Sequence, residues 1–278
     1  MKLIRVNRIN DDPGDFIYLF RLRELALGYN ENIRLNFSEC NFLRPNAVAF
    51  IAALHDEINS GKYSCSIDWQ SISPRLLTNL QQNGFCYYFD KSIRPWEGNS
   101  IRFRKDIFKN GDFENIIKYL QEHCLGRSYL TIPPKSRHEI VSNLLEVYIN
   151  SNNHSMSGNT VYTCGQFFPG LKYLKVTILD LGVGIPFNID RIVNKPELVD
   201  AQLIRVAFLK GITSTGQLGG NGLPQLYEFI KEYSGTLDVY SGKGLVRGNK
   251  AGLWLHKHEQ SFKGTIVHLT LKCDIIYS

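Results

Sequence analysis

The chain has 278 residues, a net charge of +6 and an apolar share of 43%. That share suits a globular protein of one large or two ordinary domains, and no run reaches the ~18 apolar residues that a membrane span needs. The basic residues are dispersed, the densest cluster being RFRK at Arg102 to Lys105. The charge therefore reads as solubility, and nucleic acid is not expected as a partner. The start, MKLIRVNRIN, has no apolar core leading to a small-residue cleavage site, so a secretory leader is not expected. Six scattered cysteines without a CxxC pair read as reduced, mostly buried thiols, and a cytoplasmic protein is expected.

Over residues 1–95 strand-like and helix-like patterns alternate, as in a small α/β domain. NIRLNFSEC, from Asn32, predicts a strand. PNAVAFIAALHDEI, from Pro45, predicts a helix with proline near its start. YSCSIDW, from Tyr63, predicts a second strand, and SPRLLTNLQQNGFCYYF, from Ser73, a helix stopped by Asn-Gly. This order resembles the STAS-like domain of anti-sigma-factor antagonists, in the strand IRLNFSECNFL, the helix after it and a later helix ending in NGFCYYF. Phosphorylated members carry Asp-Ser-Ser-Gly before the first long helix. Here Arg44 to Ala47 read RPNA, so no hydroxyl is available there and a packing or partner-docking module is expected.

RPWEGNS, Arg94 to Ser100, gathers Pro, Gly, Asn and Ser and is the best linker, which sets domains at 1–95 and 96–278. Beyond it, FENIIKYLQEHCL predicts an amphipathic helix. IPPKS then interrupts the chain before a longer helix, RHEIVSNLLEVYINSNNHS. No internal repeat or low-complexity segment is present.

Four motifs follow in order. On the longer helix Glu146, Asn150 and His154 stand four residues apart and share one face. VTILDLGVGIP, from Val176, ends a strand in Asp180, whose carboxylate can accept from an exocyclic amine. Gly182 and Gly184 then leave room for a flat ring to approach the backbone. KGITSTGQLGGNGLPQLYEFI, Lys210 to Ile230, is a loop rich in glycine and hydroxyls that enters a helix, with Pro224 suited to its first turn. Backbone N–H groups at such a helix start, together with Thr213, Ser214 and Thr215, can hold phosphate oxygens. FKGTIVHLTL, from Phe262, is a Gly-Thr pair opening an apolar strand. Taken singly, each motif also fits an ordinary solvated face, turn, loop or strand.

As a series they resemble the GHKL ATPase superfamily, which groups DNA gyrase, a heat-shock chaperone, histidine kinases, MutL and the anti-sigma-factor kinases. LLEVYINSNNHS is similar to its N box, DLGVGIP to G1, GGNGLPQL to G2 and KGT to the last glycine motif, across Arg137 to Leu271. The resemblance implies an α/β fold, a two-layer α+β sandwich of Bergerat type that binds ATP, preceded by the STAS-like domain. It implies that Asp180 binds the adenine amino group and that Thr265 supports an adenine-bound water. Gly182 and Gly184 would admit the base, and Gly220 and Gly222 would line the phosphates. Asn150 would hold Mg2+, Glu146 would act on the attacking water or hydroxyl, and Lys210 would lie near the triphosphate. Two positions depart from the pattern. Ser151 replaces the usual alanine, and Pro224 replaces a glycine in the family's GLGL. His154 matches a histidine of the anti-sigma branch, with a packing role as open as a functional one.

Fold leaves function open within this superfamily. A slow Mg-ATP hydrolase is expected, its lid at Phe187 to Gly219 controlling a regulatory or substrate protein. A serine/threonine kinase of the anti-sigma-factor type, acting on a separate protein, is one alternative, and a non-catalytic nucleotide-gated adaptor is the other. A sensor histidine kinase is not expected, because no helix hairpin carries a phospho-acceptor His-Glu pair. Homodimerisation stays open.

Overall fold

A computed structural model describes residues 1–96, 98–107, 113–126, 134–154, 160–209 and 222–273. The fold is mixed α/β and divides into two compact units, Met1–Arg104 with Tyr162–Gln166, and Lys105–Val161 with Phe167–Ser278.

The first unit contains a parallel three-stranded sheet of β1 (Lys2–Arg5), β2 (Ile33–Asn36) and β3 (Cys65–Asp68), in that order. Parallel neighbours need crossover connections. These are supplied by α1 (Pro13–Gly28) between β1 and β2 and α2 (Pro45–Asn59) between β2 and β3. Both helices carry proline in the first turn, where the missing N–H has no intrahelical partner to lose. Ala47 to Leu54 of α2 are all buried, so α2 is the central helix of this core. The helix expected from Ser73 is two: α3 (Pro74–Gln82) and α4 (Phe85–Phe89). Asn83 and Gly84 interrupt it, and Asn83 Oδ1 accepts the Phe85 N–H at 2.9 Å to restart the chain. Asp56 on α2 accepts hydroxyls from Tyr88 at 2.6 Å and from Tyr162 at 2.7 Å.

A five-stranded antiparallel sheet has the order β4 (Ser100–Ile107), β5 (Thr160–Phe168), β6 (Tyr173–Asp180), β8 (Gly252–Lys272), β7 (Thr236–Asn249). In the second unit, the helix expected from Phe113 is α5 (Glu114–Tyr119) followed by a π-helical turn at Leu120–Cys124. The longer helix is α6 (Pro134–His154). α7 (Ile185–Val193) and α8 (Asp200–Val206) occupy the first part of the expected lid, and α9 is Gly222–Glu232. Gly222, at the start of α9, abuts Glu146, while the Tyr233 hydroxyl beyond its end bonds Ser136 at the start of α6. The two helices therefore run antiparallel. The Gly-Thr pair does not open the last strand, which begins at Gly252 and carries Gly264 inside it. β7 and β8 form a long hairpin, bulged around Gly242, where the Lys243 N–H donates to Asp200 of α8 at 2.6 Å. All six cysteines are free and buried.

Candidate functional site

β6 is apolar because both its faces are covered from Val176 onward, and Asp180 interrupts that apolar run at its last residue. In the register of the sheet, Asp180 of β6 faces Thr265 of β8, which faces Ser241 of β7. Paired residues of neighbouring strands point to the same side. The three form a polar row on one face, where the next two rows, Ile178–Val267–Val239 and Val176–Leu269–Leu237, are apolar.

Asp180 is 5% exposed. Its Oδ1 accepts the Gly182 N–H at 2.8 Å. The Ser151 hydroxyl and the Thr265 N–H also donate to the carboxyl. Burial pushes this group up to about 6 from an ordinary 3.8, and the three donors hold it below where burial alone would set it. Among the described residues no cation pairs with it. Ser151 thus connects α6 to the end of β6.

The chain after Asp180 turns at Gly184, whose φ of +86° is the left-handed region that side chains rarely adopt. A Cβ there would lie 2.5 Å from Ser241 Oγ and 3.0 Å from the Gly264 carbonyl oxygen. The freed volume at Gly184 is therefore filled by protein, not left for a ring to approach. Ser241 Oγ accepts the Ile185 N–H at 3.0 Å and donates to the Gly264 carbonyl at 2.6 Å. Gly264 has φ +129°, and a Cβ on it would sit 2.1 Å from the Asp180 carbonyl oxygen, so only glycine fits beside the end of β6.

Glu146 and Asn150 form the second cluster. A Cβ on Gly222 would lie 2.6 Å from Glu146 Oε2 and 3.5 Å from Asn150 Nδ2, so α9 enters against the polar face of α6. Burial raises the Glu146 carboxyl above its ordinary 4.5. Because Asn150 and Ser151 are adjacent on α6, the two clusters are joined through one helical turn. Glu146, Asn150, Gly222, Asp180, Gly182, Gly184 and Thr265 thus lie in one region of the second unit. The expectations for Lys210, Thr213, Ser214, Thr215 and Gly220 lie outside the described residues, as does the side chain of His154.

Ser241 carries no signal in the sequence, since a lone serine inside a strand belongs to no motif. Only the pairing of β7 with β8 brings it under the Gly184 turn. Among the described residues no group of three His, Cys, Asp or Glu side chains could hold a metal ion. Among the described residues, this second cluster offers oxygen donors in the Glu146 carboxylate and the Asn150 amide. Such a sparse set suits Mg2+, which keeps several waters and takes phosphate oxygens, and does not suit a cation that demands a full protein cage. No protein-family model matches the chain, and no curated protein matches it.

Proposed function

We propose that the second unit is a GHKL-type, Bergerat-fold site for Mg-ATP, and that the protein is a slow ATPase whose nucleotide-dependent lid controls a protein partner. The observation that carries this reading is Asp180: a carboxyl buried at a strand end, held by three donors, with no cation among the described residues. A group kept at such a cost in solvation is a candidate ligand-binding group. Its free acceptor capacity suits an exocyclic amine, and Thr265 beside it suits a water shared with the base.

Asn150 would hold Mg2+ through its amide oxygen, and the bound ion supplies charge neutralisation at the phosphates. Glu146, one turn earlier on α6, would orient the attacking water and take its proton. Gly222 brings the start of α9 against both residues, which suits phosphate held by helix N–H groups. In the first unit, the parallel sheet and the α2 start at Arg44–Pro45 support a STAS-like docking module without a phospho-acceptor hydroxyl at that turn.

The test is a thermal-melt titration with ATP, ADP and a non-hydrolysable analogue, with and without Mg2+. Ligand at about 100 times its Kd stabilises a folded protein by about 2.7 kcal/mol. A Mg2+-dependent rise in Tm supports the site, and release of phosphate without a partner then distinguishes hydrolysis from transfer to protein. An unmoved Tm with every nucleotide rejects the reading.

A further inference from the structure

Ser241 has no part in the four motifs, yet it is completely buried and both capacities of its hydroxyl are used. It accepts from the first N–H of α7 and donates to the carbonyl of Gly264, the residue whose Cα lies against the Asp180 carbonyl. One oxygen atom thus fixes the turn after Asp180 on one side and the close approach of β8 to β6 on the other. We propose that Ser241 is a positioning residue for the base: it holds the Gly182–Gly184 turn and Gly264 in the arrangement that aims Asp180 at an exocyclic amine. This rests on the reading of the site as a nucleotide site, and adds to it a residue on β7 that reaches the base only through its neighbours.

The physical case against a purely structural role is one of location. Thr177 is an equally buried hydroxyl on β6 itself, bonded to His268 Nδ1 at 2.8 Å. It lies an odd number of residues from Asp180, so it faces the opposite side of the sheet. Its loss should loosen the sheet without touching the turn. Ser241 points instead to the side that carries Asp180 and Thr265.

The experiment compares wild type, Ser241→Ala and Thr177→Val by Tm and by calorimetric Kd for adenosine and for ATP. Losing the hydroxyl that holds the turn is expected to raise both Kd values of Ser241→Ala by about fivefold to tenfold, the scale of one hydrogen bond. The ratio of the adenosine and ATP values should stay that of wild type, because the phosphates are held elsewhere. Thr177→Val should lower Tm to a similar degree and leave both Kd values within twofold. Wild-type affinity in Ser241→Ala overturns the positioning role while leaving the nucleotide site standing. An equal loss of affinity in Thr177→Val, or a loss in Ser241→Ala confined to ATP, also overturns it. Absence of binding by wild type overturns the nucleotide reading and this role together.

Discussion

The exchange Asp180→Asn keeps the shape of the side chain and removes its charge. Burial lifts the Asp180 carboxyl from 3.8 to about 6, so between those values the folded chain holds a proton that the unfolded chain has released. Stability therefore falls as pH rises through that window, and above it the native state carries the full cost of the buried carboxylate. A difference of that size corresponds to about 3 kcal/mol. Asparagine escapes this cost but presents an NH2 where one of the three donors needs an acceptor, a loss of about 1 kcal/mol. The net gain at pH 7 is about 2 kcal/mol, or about 4 °C in Tm for a chain of this size. Melting curves of both proteins at pH 7 and pH 4, followed by ATP titration at pH 7, test this. The variant should melt higher than wild type at pH 7, no higher at pH 4, and show no response to ATP. A lower Tm at pH 7, or the same advantage at both pH values, refutes the burial argument; retained ATP affinity refutes the role in holding the base.

Glu146→Gln should bind ATP and lose turnover by a factor of about 100 or more, measured as phosphate release. Because burial raises the Glu146 carboxyl, wild-type turnover should decline on acidification with a midpoint above 4.5. Gly222→Ala pushes a methyl group to 2.6 Å from Glu146 Oε2 and should cost about 1–3 kcal/mol in denaturant melts while weakening ATP binding. Tyr162→Phe removes a donor 2.7 Å from Asp56 and should cost about 1–2 kcal/mol while leaving nucleotide affinity unchanged, because it lies in the first unit.

Much of the candidate site was legible because its residues sit at fixed spacing within single elements. Glu146 and Asn150 are one turn apart on α6, and Asp180 with its glycines is one strand end. The α1 helix carried no such signal. It buries Phe16, Leu19, Phe20, Leu22 and Ala26 yet exposes Leu25 and Leu27, so no clean apolar stripe marks it. Asn-Gly predicts a stop, because the sequence does not reveal that the Asn83 side chain also accepts the first N–H of a further helix. Gly264 read as a strand opening, although a residue with φ +129° sits well inside β8, where the close approach of β6 requires it. Ser241 depended on register, which is a property of two strands and not of either alone.

The row of Asp180, Thr265 and Ser241 also sets a schedule. Asp180 meets its ladder partner only when β8 has been made, 85 residues later, since 265 − 180 = 85. Pairings this distant in sequence form slowly, because a long loop must close before any contact rewards it. A ribosome-bound chain that has already emerged through α6, β6 and α9 contains three of the four motifs but lacks Gly264 and Thr265. Such a nascent chain has no floor beneath the Gly184 turn, and the proposed site is complete only once β8 has joined the sheet.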